Sequence, residues 1–100
     1  MFNFLKSLFK TTNYKELLEQ GAIIIDVRSE AEYKIDHVKG AQNIPLQKIS
    51  TQSQKIKSLN CTIILCCASG IRSGQATSVL KSAGVNALNG GGWSSLNSKI

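Results

Sequence analysis

A chain of 100 residues, 42% of them apolar, suffices for one domain with a modest core and is too short for two. Charged residues make up only 18%, which excludes a disordered polyelectrolyte, and the uncharged apolar runs are too short to cross a bilayer. The net charge of +6 is unevenly spread: all six carboxylates (Glu16, Glu19, Asp26, Glu30, Glu32, Asp36) precede His37, and seven cations without a single carboxylate follow it. Such a half favours an anionic ligand. Its Lys residues are scattered, with no Arg cluster and no interleaved aromatics. The expected partner is therefore a small anion, or an acidic protein, and not nucleic acid.

The chain begins with an amphipathic segment over residues 1–12. Phe2, Leu5 and Phe9 share one helical face, while Lys6 and Lys10 lie elsewhere. The Lys residues interrupt any signal-peptide core, and two of them on one short segment do not make a membrane anchor. The expectation is a short helix packed on a domain that fills 13–100. Asn13 to Gln20 reads as a helix with Asn13 as N-cap, Glu16 at N3 and Gly21 beyond its end. Ala22–Val27 is a β-branched run suited to a strand buried on both faces. Ser29 and Glu32 make a capping box for a short helix to about Ile35. Ala41–Ile44 is a second strand, stopped by Pro45. Leu46, Ile49, Ile56 and Leu59 support a helix across a polar middle at 50–53. Thr62–Cys66 is the third strand. Ser73–Ala83 is a helix with Ala76, Val79, Leu80 and Ala83 as its buried face and Gly84 past its end. Val85–Leu88 is a short strand, Asn89 to Gly92 a loop and Trp93–Ser98 a last helix. This alternation predicts an α/β fold: a single open, mostly parallel sheet with helices on both faces.

Ligands of such sheets gather at the carboxyl ends of the strands. One loaded end is Asp26-Val27-Arg28. The other is Cys67-Ala68-Ser69-Gly70-Ile71-Arg72-Ser73, where a Cys follows a buried strand and a short loop leads into a helix. Backbone N–H groups of that loop can converge on one spot, which the positive end of the helix also faces. A Cys there becomes a stabilised thiolate. Lowering a thiol from about 8.5 to about 6.5 raises its ionised fraction at neutral pH from roughly 3% to roughly three quarters. The thiolate is the nucleophile and needs no adjacent base. Cys66 points to the opposite side of the strand and reads as core; Cys61 reads as incidental. Three Cys, two of them adjacent, make a poor disulfide framework and lack zinc spacing, so a reducing, cytoplasmic setting is expected, with no metal and no cofactor. Arg72 needs a carboxylate from upstream if it is buried, with Asp26 the best placed; Arg28 then pairs with Glu32 or Asp36. His37 is expected to brace a turn, Trp93 to line the core or the pocket rim, and Gly90 to Gly92 to permit a turn.

The loop Cys67 to Ser73 resembles the active-site loop Cys-x-x-Gly-x-Arg-Ser of the rhodanese family. Ile24 to Arg28 resembles that family's first signature, His37 to Leu46 its second, and Asn89 to Trp93 its Gly-Gly turn; the likeness runs from about Asn13 to Leu96. The resemblance implies a sulfurtransferase in which Cys67 takes sulfane sulfur from thiosulfate, a persulfide or a polysulfide as a covalent persulfide. A thiol or cyanide then accepts the sulfur. It further implies that Ala68, Ser69, Gly70, Ile71, Arg72 and Ser73 hold the anion, Arg72 shaping the loop or meeting it, with Asp26, Arg28 and His37 in support. The chain departs from the pattern at Asp36 (for Gly), at Lys39 (for Pro) and in the neutral Ala68 and Ile71. The alternatives are a sulfur-carrier or protein-binding module without free turnover, and a phosphatase or arsenate reductase, whose loop is one residue longer.

Overall fold

The computed structural model describes residues 12–100, so the segment expected before Asn13 lies outside the described residues, apart from Thr12. The elements in chain order are α1 (Tyr14–Glu19), β1 (Ile23–Asp26), α2 (Glu30–Ile35), β2 (Gln42–Asn43), α3 (Leu46–Ser58), β3 (Ile63–Cys67), α4 (Ile71–Ser82), β4 (Ala87–Gly92) and α5 (Trp93–Asn97). The four strands form one parallel sheet in the order β2-β1-β3-β4. The chain leaves β1 toward one edge through α2 and later returns to β1's other side as β3. The connections after β1 and β3 thus diverge, the arrangement in which open α/β sheets take ligands at the carboxyl ends of their strands.

Strand alternation sorts the core onto two faces. Ile25, Val27, Ile63, Leu65 and Cys67 pack under α3 and α4 with Ile49, Ile56, Ala76 and Leu80. Ile24, Ile64 and Cys66 face the other way, toward Leu17, Leu18, Tyr33 and Leu96 of α1, α2 and α5. Isoleucine runs suit β1 and β3 because both faces are covered.

Local signals act as the sequence indicates at several ends. The Asn13 side chain accepts the Glu16 N–H at 3.0 Å, the Ser29–Glu32 capping box is formed, and Gly84 takes φ +88° past α4. The polar middle of α3 stays helical, with Thr51 and Ser53 hydroxyls folded back onto the Lys48 and Ser50 carbonyls.

Other expectations are corrected. Val79 is exposed, and the buried face of α4 is Ser73, Ala76, Thr77 and Leu80. The helix begins two residues earlier than the periodicity suggests because Gly70, at φ +101°, turns the chain directly into it. Asp36 is extended, so no left-handed residue is needed before His37; Gly40 carries the positive φ of that turn. The glycine run is not a loop but the body of β4. Leu65 pairs with Asn89 and Cys66 with Gly91, leaving Gly90 as a bulge. A Cβ on Gly90 would lie 2.9 Å from Ile64 Cγ2, so this strand runs too close to β3 for a side chain.

Candidate active site

Cys67 ends β3 on the α4 side of the sheet and is 1% exposed. The loop behind it closes over the sulfur. Gly70 N–H donates to Sγ at 3.0 Å and Ser73 N–H at 3.4 Å, while the Ser73 hydroxyl stands 3.3 Å away. The Ser73 amide is one of the unpartnered donors of α4's first turn, so the sulfur occupies the position of a helix-capping acceptor. The first turn of α4 holds no acidic residue. Burial alone would push the Cys67 thiol up; hydrogen bonds from the Ser73 hydroxyl and from the Ser73, Ser69 and Gly70 amides outweigh it and hold the thiol below its ordinary value. Cys66, facing the opposite core, has no such donors. Burial, with Asp26 nearby, pushes it up to about 12.

The carboxylate pairings differ from those expected. Arg72 is held by Glu32 of α2, Nη1 to Oε1 at 2.7 Å and Nη2 to Oε2 at 3.0 Å. Asp26 is not its partner because both of its carboxylate oxygens are already taken by Arg28. Asp26 instead binds Arg28, two residues on and on the same face. Arg28 Nη2 lies 2.7 Å from Asp26 Oδ2, Nε lies 3.0 Å from both carboxylate oxygens, and the Arg28 N–H also donates to Oδ1 at 2.9 Å. Both side chains are buried, and the guanidinium also donates to the Asp36 carbonyl and sits 4.9 Å over the Trp93 ring. Asn43 ties the end of β1 by donating to the Asp26 and Arg28 carbonyls. His37 braces its turn. Its ring stacks on Tyr33 at 3.7 Å and its Nδ1 lies 2.7 Å from the Tyr33 carbonyl.

Glu32 does two jobs at once. It completes the Ser29 capping box and grips Arg72, and with that guanidinium as the main cause its carboxyl is lowered to about 2. A carboxyl lowered on folding stabilises the fold above its unfolded value, near 4.3, and the contribution fades as pH falls toward 2. Both partners are over a third exposed, so the pair is worth about 0.2–1 kcal/mol. Glutamine preserves the capping box, so Glu32→Gln isolates the ion pair. Urea midpoints should show the variant less stable at neutral pH, with the gap closing as the pH drops below about 4.3.

Around the sulfur, Ala68 and Ser69 are exposed and Ile71 is 72% exposed, so the loop's outward side chains carry no charge. Asn89, which the sequence does not single out, reaches from β4 to donate to the Gly70 carbonyl at 3.0 Å and accept from Ser73 at 2.7 Å. Cys61 lies at the other end of the sheet, beside a pocket of about 380 Å³ lined with Lys57, Asn60 and Asn86. Among the described residues no cluster of His, Cys, Asp and Glu could hold a metal ion, and no helix is long and apolar enough to cross a membrane.

Comparison with known proteins agrees with this architecture. Residues 10–99 match the family profile of the rhodanese-like domain. The chain is 38% identical over 61 residues to the thiosulfate sulfurtransferase PspE of Escherichia coli, covering 60% of this chain and 59% of PspE. It is 32% identical over 78 residues to the thiosulfate sulfurtransferase GlpE of Pseudomonas fluorescens, covering 75% of this chain and 71% of GlpE. A solved structure of an E. coli rhodanese with anions superimposes with a TM-score of 0.67 at 34% identity, covering 74% of this chain and 89% of that one. The chain spans about half the length of several curated relatives it matches. With a four-stranded parallel sheet, helices on both faces and a profile match over residues 10–99, the chain belongs to the rhodanese-like domain family.

Proposed function

We propose that the protein is a sulfurtransferase with Cys67 as its nucleophile. The Cys67 thiolate attacks the sulfane sulfur of an anionic donor. A new S–S bond forms between Cys67 and the sulfane sulfur while the donor's own S–S bond breaks, its electron pair departing with sulfite or a thiolate as the leaving group. A thiol or cyanide then attacks the outer sulfur and carries it off, and Cys67 returns as the thiolate. Both steps are redox-neutral and call for no cofactor. The observation that carries this reading is the pair of backbone N–H groups, Gly70 and Ser73, aimed at a sulfur at the head of α4. They stabilise the attacking thiolate before the reaction and the anionic persulfide after it. Ala68, Ser69, Gly70, Ile71, Arg72 and Ser73 form the anion-holding loop. Arg72 shapes it through Glu32, while Asp26 and Arg28 fix the neighbouring strand end and His37 braces the turn beyond α2. Relatives named thiosulfate sulfurtransferase, and a related rhodanese solved with anions, support the same class. A reducing, cytoplasmic setting suits a chain whose Cys61, Cys66 and Cys67 are all free.

Among donors, a persulfide or polysulfide suits the loop better than thiosulfate. The one Arg of the loop is occupied by Glu32, and the outward side chains Ala68, Ser69 and Ile71 are neutral. A dianion would find backbone donors there but no free loop cation. The test is to incubate the reduced protein with thiosulfate and, separately, with glutathione persulfide, and to read intact mass beside a Cys67→Ser control. The expected result is a gain of one sulfur on the wild type only, faster from the persulfide. No gain from either donor would overturn the reading. A gain that no free thiol or cyanide discharges would mean a carrier.

A further inference from the structure

Ser73 holds one hydroxyl proton between two acceptors. Its Oγ lies 3.3 Å from Cys67 Sγ and 2.7 Å from Asn89 Oδ1. The Asn89 amide can face only one way. Its Nδ2 donates to the Gly70 carbonyl at 3.0 Å, and its Oδ1 accepts the Gly91 N–H at 3.0 Å. Turning it over would set donor against donor at Gly91 and acceptor against acceptor at Gly70. Its oxygen is therefore held toward Ser73, which is fully buried and depends on protein groups for its hydrogen bonds.

We propose that Asn89 is a positioning residue for Cys67 and acts through Ser73, its Oδ1 competing with the sulfur for the single hydroxyl proton. While Cys67 is a thiol, S–H donates to Ser73 Oγ and Ser73 donates to Asn89, so every proton in the chain has an acceptor. When Cys67 ionises, Ser73 turns its proton to the sulfur, and Asn89 Oδ1 exchanges the buried Ser73 bond for solvent beside the Gly91 N–H. The thiolate gains the Ser73 bond less the one that Asn89 gives up. Asn89 thereby restrains the ionisation of the sulfur that the loop amides promote. The charged groups nearest the sulfur leave this balance to hydrogen bonds: Arg72 on α4 is paired with Glu32 on α2, Asp26 on β1 is paired with Arg28, and Cys66 on β3 stays a neutral thiol. The inference rests on reading Cys67 as the reacting thiol, but its test needs no sulfur donor.

The test is the pH dependence of iodoacetamide alkylation at Cys67, read by peptide mass spectrometry. The proteins are the wild type, Asn89→Ala, Ser73→Ala and the double variant. One hydrogen bond's worth of competition corresponds to about half to one pKa unit. Asn89→Ala should lower the apparent thiol pKa by that amount in the wild type and leave it unchanged in the Ser73→Ala background. No shift, a rise, or an equal shift in both backgrounds overturns the proposal; the last would place the effect on Gly70. If Asn89→Ala does not fold, Asn89→Leu fills the same space with no acceptor. It should lower the thiol pKa with Ser73 present and leave it unchanged without it, and equal shifts in both backgrounds overturn the proposal. Failure of sulfur loading would leave this result standing, and the converse also holds.

Discussion

Asp26→Ala should be the most destabilising single truncation near the site, costing about 3–5 kcal/mol. The carboxylate is fully buried and answers a guanidinium that is 5% exposed, so its removal leaves Arg28 charged and dry. The Asp36 carbonyl and the Trp93 ring stay with the cation, but neither carries a charge to answer it. For a domain of this size the loss corresponds to a melting temperature lower by at least about 12 °C. Calorimetry or a CD melt measures it. A second substitution, Arg28→Met, removes the stranded charge while keeping apolar volume, so the double variant should recover part of the loss. A single variant that melts like the wild type would mean that Arg28 reaches water, and the argument would fall.

Gly92→Ala should impair sulfur transfer more than its size suggests. A Cβ at this position would stand 2.8 Å from the Ala68 carbonyl oxygen, which is backbone and cannot swing aside as a side chain would. The residue after Cys67 must then shift, or β4 must peel from β3. A displacement of about 1 Å in a reacting constellation can cost about 100-fold in rate. The expected outcome is a loss of that order in persulfide formation with a stability loss of about 1–3 kcal/mol, the usual cost of overfilling a packed site. Stopped-flow donor loading and a urea melt separate the two effects. Wild-type values in both would show that loop and strand do not constrain each other.

Much of this was legible in the sequence because local rules decide it. The isoleucine runs of β1 and β3, the Asn13 and Ser29 caps and the Gly84 stop act over a few residues and fold as they read. The Cys67 loop was visible for the same reason, a strand, a Gly-bearing turn and a helix being contiguous in the chain. What could not be read were pairings across the fold. Arg72 and Glu32 are forty positions apart, and only the fold, which sets α2 beside the first turn of α4, brings them together. The Asp26–Arg28 pair carried a usable signal, since residues two apart on extended backbone share a face. The role of β4 was hidden because glycine usually marks turns; here it marks close approach between neighbouring chains. Asn89 was legible only as the first residue of the Gly-Gly turn segment, and nothing in the sequence marks its side chain's reach to Gly70 and Ser73.

The Arg72–Glu32 pair has a further consequence for how a ligand arrives. Of the two ion pairs among the described residues, it is the only one to involve the half of the chain beyond residue 36. The other cations of that half, Lys39, Lys48, Lys55, Lys57, Lys81 and Lys99, therefore keep their field, which reaches into solvent for a Debye length of about 8 Å at physiological ionic strength. Local neutrality at the loop and the excess positive charge of the chain as a whole separate two tasks. The net charge speeds the encounter with any anion and its effect weakens with added salt, whereas the hold at the sulfur is made of backbone amides that salt scarcely screens. Salt should therefore slow capture while leaving release nearly untouched.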